Sequence, residues 1–322
     1  MILIGQQWTS LEFTMNELTI VMYHYVRPIV GSQFPGIKGL ELDGFRRQLD
    51  YLNEHFTIVS TEQVVDACLK GIKLPINSCW LTFDDGYKDH FTFVLPELLN
   101  RNLHGAFFPP RVAIEDGVLL DVNSIHHILS CAGNIHNLVC ELNMYCRLSG
   151  ILDATLTSYY EEYAVANRFD NAGTIYVKHM LQHVLPEEIR NSITSKLFHD
   201  FVGVSQSNFS QELYMSVDEV SQLVKSGMYV GSHGSMHYWL DRISSEQQEQ
   251  DIVRSLEFLE RVGASSKNWI MCYPYGAYND TTLSLLQKYK ASIGITTEVR
   301  TVDFSKDNQF TLPRLDTNDF PQ

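Results

Sequence analysis

The heptapeptide Trp80-Leu81-Thr82-Phe83-Asp84-Asp85-Gly86 runs a buried, strand-like segment straight into two adjacent carboxylates. The plain reading of its end is a turn, because Asp bonds its own backbone and Gly accepts a positive φ. A turn alone does not explain why two like charges stand together at the mouth of an apolar strand. The explanation has to come from the rest of the chain.

Similar β-rich runs recur at 18–24, 105–108, 228–232, 268–273 and 291–296, with a last one at 310–315. Helix-like text separates them. Ser216-Val217-Asp218-Glu219 is a capping box, with Val220, Leu223 and Val224 on one face and Gly227 as the stop. The stretch 245–262 repeats the plan with Ile252, Leu256, Leu259 and Gly263, and 43–52 presents Phe45, Leu49 and Leu52. Strands alternating with helices predict parallel strands with helices packed outside. Six or seven such units suit a (β/α) barrel, with a doubly wound sheet as the structural alternative.

One region breaks the rhythm. From 116 to 215 no strand run stands out, and eleven acidic residues face five basic ones. Pro186-Glu187-Glu188 opens a helix there, with Ile189, Ile193, Leu197 and Phe201 on one stripe. The organisation expected is a tail at 1–17 and a barrel over 18–322, interrupted by a helical insert at 116–215. Such an insert shapes access to a site rather than supplying its chemistry.

The chain has 322 residues and a formal charge of −14, which argues against a protein that grips nucleic acid phosphates. Six cysteines, with no Cys-x-x-Cys pair, read as reduced thiols in a reducing compartment. No run approaches a membrane span, and the first eighteen residues contain no Lys or Arg, so they do not read as a secretory signal. The expected location is cytoplasmic, with contact at the inner membrane surface left open. The oligomeric state is not legible.

The histidines give the double Asp a use. His233 and His237 in His233-Gly234-Ser235-Met236-His237 are four apart and follow a strand, which in a parallel barrel places them at the rim where active sites are built. Two histidines and one carboxylate leave an open position on zinc for water, as a hydrolytic site requires. Of the two aspartates, one could bind the metal while the other takes a proton from the water. His179 and His183 have the same spacing but lack a preceding strand, and they read as a packing feature of the insert, as does His126-His127.

These residues resemble the NodB-like polysaccharide deacetylases, carbohydrate esterase family four. Thr82-Phe83-Asp84-Asp85-Gly86 matches the family's first motif letter for letter, and His233 to His237 match the His-x-x-x-His of its second, with Gly234 where Ser or Thr is usual. Met22-Tyr23-His24-Tyr25-Val26 and Cys272-Tyr273-Pro274-Tyr275-Gly276 look like the branch with a Tyr-His first strand. The resemblance spans roughly 18–110 and 214–315. It implies a distorted (β/α) barrel that removes an N- or O-linked acetyl group from a sugar with the help of a divalent metal. Zn2+ is expected there, with Co2+, Ni2+ or Mn2+ as alternatives. By position Asp84 is the general base, and Asp85, His233 and His237 hold the metal. The backbone N–H of Tyr275 would stabilise the oxyanion, and Tyr273, Tyr238 and Trp239 are candidates for stacking a sugar.

Two departures stand out. Cys272 occupies the place of an Arg that orients the base, and the late Leu-x-His that supplies the general acid reads Leu312-Pro313-Arg314. His24 is the candidate acid instead, and Arg314 a candidate contact to an anionic group on the substrate. The expected substrate is a nucleotide- or lipid-linked sugar in surface-polysaccharide assembly. Hydrolysis of a ureide or imide C–N bond on the same fold, or a non-catalytic carbohydrate-binding relative, are the competing readings.

Overall fold

A computed structural model describes residues 17–167 and 170–322. The expected tail at 1–17 therefore lies outside the described residues, except for Glu17. The Ser78–Asp84 strand is buried at every position, as its apolar text demands. It pairs in parallel with Glu17–Tyr23 on one side and Ala106–Phe108 on the other. Ala106–Phe108 in turn pairs with Tyr229–Val230.

The pairing then closes on itself. Ser232 bridges Met271 in the Ile270–Cys272 strand, which pairs with Ile293–Ile295. Ile295 bridges Leu312, and Leu315–Asp316 returns to pair with Val21 and Met22 of the first strand. Every step in this circuit is parallel, so the predicted barrel is present. It is distorted because two of its steps rest on single bridges between short strands.

Residues alternate across the strands. Leu18, Ile20, Trp80, Phe108, Ile270 and Ile293 belong to one buried cluster, while Val21, Tyr23, Leu81, Phe83 and Phe107 join a larger one shared with the helices. Tyr23, Phe83 and Phe107 stack in series with ring centroids 4.9 and 4.8 Å apart. The capping box forms with Ser216 as cap of Val217–Lys225, and Ser245–Arg261 is capped by Ser244. Pro186 caps Glu187–Val202 from just outside rather than sitting in its first turn.

Among the described residues, every element between Ala106–Phe108 and Tyr229–Val230 is a helix. Asp121–Cys131 and Glu187–Val202 pack against each other within this segment. None of the described helices is long and apolar enough to cross a membrane.

Phe83→Ala should cost about 3–5 kcal/mol, since it opens a cavity in the middle of the aromatic stack. Urea unfolding of the variant checks this, and a loss below about 1 kcal/mol would mean the stack is not carrying the strand.

Candidate metal centre at the barrel rim

The two aspartates leave the strand end with different backbone conformations and different partners. Asp84 is its last residue, whereas Asp85 and Gly86 have φ of 70° and 71°. The positive φ expected of Gly86 is present, and Asp85 itself adopts the left-handed conformation as well. That conformation is tolerated better by Asp than by most residues. Gly86 is required for a second reason: a Cβ there would lie 2.8 Å from Cβ of Pro109.

Asp85 meets both histidines. Its Oδ1 is 3.3 Å from Nε2 of His233 and 3.4 Å from Nε2 of His237, and all three side chains are buried. Nδ1 of His233 lies 2.7 Å from the carbonyl of Cys272 and donates to it, so its Nε2 is left as the ligating atom. Burial would raise the Asp85 carboxyl, but the two imidazoles outweigh it and hold it well below the usual carboxylate range. Burial lowers His237, which favours the neutral ring that binds metals. Two imidazole nitrogens and one carboxylate oxygen converging on a point is the donor set of a divalent transition ion. The residues expected to hold zinc therefore fit such an ion.

The loop carrying the histidines is held from below. Asp251 accepts the N–H groups of Ser235 and Met236 at 2.9 and 2.7 Å. Gly234 has φ of 71°, and a Cβ on it would lie 2.8 Å from Oδ2 of Asp251, so a side chain after His233 would crowd this anchor. His237 is itself left-handed at 57°.

Asp84 faces a different partner. Arg314, 1% exposed, donates from Nη1 to Oδ1 at 2.9 Å and from Nη2 to Oδ2 at 2.7 Å. Its Nε donates to the Thr296 carbonyl, Nη1 also reaches Thr82, and Nη2 reaches Sγ of Cys272. Burial alone would raise the Asp84 carboxyl, but the guanidinium, aided by His233 and His24, brings it down to about 2. Arg314 thus fixes the Asp84 carboxylate through both of its oxygens, beside the Cys272 thiol that stands where an Arg was expected. This corrects the expectation that Arg314 meets the substrate, because its guanidinium is buried and committed.

The remaining expected residues divide. Nε2 of His24 stands 4.0 Å from Oδ2 of Asp84, with its side chain 40% exposed, and the His24 carbonyl is fixed by Nε2 of His90 at 2.9 Å. Burial pushes His90 down to about 4, so it supports the site as a neutral ring. Asp89 is also buried and pairs with Arg27 at 2.6 Å. Tyr275 is half-buried with φ of 59°; it lies against His237 and stacks on Trp239 at 4.2 Å.

Tyr273, a candidate for stacking a sugar, does not lie at the rim. It is wholly buried and donates to the Phe310 carbonyl at 2.7 Å, because the strand alternation turns it away from the rim. His179 and His183 lie 3.1 Å apart, with Tyr163 stacked on His179, as packing residues do.

At the rim of a closed parallel barrel, Asp85, His233 and His237 bring ligand atoms within 4.8 Å of one another beside a second, clamped Asp. The fold is that of the NodB-like deacetylases, and the family resemblance read from the motifs holds. The polysaccharide deacetylase family model matches residues 193–294. YxkH of Bacillus subtilis (strain 168), named for the polysaccharide deacetylases, is 25% identical over 85 residues, 26% of this chain and 30% of that relative. The Streptococcus pyogenes deacetylase PplD, solved with acetate, superposes with a TM-score of 0.58 at 15% identity, covering 94% of this chain and 93% of that one. IcaB from Ammonifex degensii gives 0.56 at 17% identity, covering 93% and 91%. At these identities the two structures establish likeness of fold.

Arg314→Met leaves Asp84 buried without its counter-charge and should destabilise by about 3–5 kcal/mol near neutral pH. In the wild type, the lowered Asp84 carboxyl contributes stability above its unfolded value of about 3.9, and that contribution is lost as pH falls through about 2. Burial without a counter-charge raises Asp84 in the variant, which therefore takes up its proton at a higher pH than the wild type. The gap between the two should shrink as pH falls from 7 to 3. Urea midpoints measured from pH 7 to pH 3 read this, and a gap independent of pH would assign Arg314 a packing role only.

Proposed function

We propose that the protein is a metal-dependent deacetylase that removes an acetyl group from a sugar. The observation that carries this reading is the convergence of Asp85 Oδ1 with the two histidine Nε2 atoms beside a separately clamped Asp84. A divalent ion held by Asp85, His233 and His237, Zn2+ in the first instance, supplies a Lewis acid for the acyl oxygen and an acidified water.

The chain's own residues do the rest. Arg314 keeps Asp84 ionised across the physiological range, so its carboxylate stands ready to accept a proton. His24 is placed to give a proton from Nε2 to the leaving nitrogen or oxygen, which a sugar amine needs more than a sugar alcohol. Tyr275 offers its backbone N–H to the acyl oxygen, in a turn closed by the Gly276 N–H on the Tyr273 carbonyl at 2.9 Å. A cavity beside His237, lined by Leu120, Met236, Trp239 and Tyr275 together with Asp121, Glu187 and Arg190, offers room for the acyl group. That PplD was solved with acetate supports the same acyl class.

The reading of a non-catalytic relative rested on Cys272 and the absent late His. Arg314 takes over the first role and His24 stands ready for the second, which favours an active enzyme. The nucleotide- or lipid-linked substrate and the cytoplasmic setting are part of the proposal. The six free thiols support a reducing compartment.

Purified protein loaded with Zn2+ or Co2+ should release acetate from at least one member of a panel of acetylated sugar nucleotides and lipid-linked sugars. Asp84→Asn should lower kcat by about 10²–10⁴-fold while metal stays bound. Loss of metal in that variant would mean the aspartate roles are reversed, and turnover of ureides without acetate would move the enzyme to the C–N hydrolase reading.

A further inference from the structure

The second oxygen of Asp85 is not exposed to the site. It accepts a hydrogen bond from the Tyr87 hydroxyl at 2.5 Å. Tyr87 in turn meets Asn123, whose Nδ2 lies 2.6 Å from its hydroxyl and 2.9 Å from that of Tyr25. Oδ1 of Asn123 accepts from the Tyr214 hydroxyl, and the Leu120 N–H donates to Tyr214 at 3.0 Å. Tyr87, Asn123, Tyr25 and Tyr214 are all buried.

The direction of each bond is forced. The ionised Asp85 carboxylate can only accept, so Tyr87 spends its one proton on Oδ2 and can only accept from Asn123. Tyr214 accepts from the Leu120 N–H and gives its proton to Oδ1 of Asn123. The Asn123 amide must then turn its Nδ2 towards Tyr87. A flipped amide would set two oxygens against each other at Tyr87, so the network admits one arrangement. The chain of donors starts in the helical segment and ends on a metal-site carboxylate.

The backbone follows the same path. The Met215 N–H donates to the Gly86 carbonyl at 3.0 Å, and Tyr214 bridges Tyr87 as an isolated antiparallel pair. The end of the helical segment is thus pinned to the turn that swings Asp85 out of its strand. Tyr25 stacks on Tyr87 at 4.2 Å and fixes the plane of its ring.

We infer that Asn123 is a positioning residue of the metal centre: through Tyr87 it holds Asp85 so that only Oδ1 faces His233 and His237. This rests on the reading of those three residues as metal ligands. The helical segment, which supplies no ligand, sets the orientation of one.

The test is Co2+ binding to the full chain, followed by visible absorption, beside acetate release. Tyr87→Phe keeps the ring and deletes only the hydroxyl; Asn123→Leu keeps the volume and deletes the amide. Both should weaken Co2+ binding by about 10–100-fold and shift the ligand-field bands, as loss of a partner to a ligand does. Should Asn123→Leu not fold, Tyr214→Phe, which frees the amide to turn, should also raise the Kd. Folded variants with the wild-type Kd and spectrum would overturn the inference. A wild-type chain that binds no Co2+ would instead bring down the metal reading beneath it.

Discussion

The ion pair between Asp84 and Arg314 is the interaction on which the rim depends. Two adjacent buried carboxylates repel each other and are costly to desolvate, so each needs its own positive partner. Arg314 satisfies Asp84 through two parallel bonds, which leaves Asp85 free to face the histidines. The same guanidinium ties together the second and last strands of the barrel circuit and the Thr296 carbonyl between them. One side chain therefore closes the top of the barrel and separates the two aspartates by charge.

Strain is gathered at the same place. Of the non-glycine residues with positive φ, Asp85, His237 and Tyr275 each come from a different one of the three motifs. An αL backbone is uncommon for any residue but glycine, most of all for a bulky one such as Tyr, and it persists only where the surroundings enforce it. Here Asp251 enforces the histidine loop, and the Tyr214–Met215 segment enforces the turn at Asp85. Each turn redirects a side chain that strand alternation would have sent elsewhere. The barrel provides height and spacing, while these reversals provide convergence.

This explains what could be read from the sequence. The barrel strands were legible because period and composition are local properties, and the motif residues because their spacing survives in one dimension. Arg314 was misread because its partner lies 230 residues away. A usable signal existed all the same: an Arg flanked by Leu312, Pro313 and Leu315 lies in an apolar run, and a buried Arg needs a carboxylate. Tyr273 was misassigned by reading proximity in sequence as proximity in space, when its neighbour in the motif faces the other way. Asn123 carried no signal at all, since one Asn in a helical stretch looks the same whether it caps, solvates or clamps.

The two histidine pairs show where the deciding information lies. His179/His183 and His233/His237 share a spacing, and both pairs bring their rings within 5 Å of each other, at 4.9 and 4.8 Å. Only the second pair has a carboxylate between its Nε2 atoms and a ring nitrogen already committed to a carbonyl. The first has its own histidines as partners, with one Nδ1 facing the other's Nε2. Spacing brings rings together, but a ligand set also needs a fixed tautomer and an anion aimed at the gap. In this protein both come from outside the pair: the tautomer from the Cys272 carbonyl, and the aim of the anion from a turn held by the helical segment.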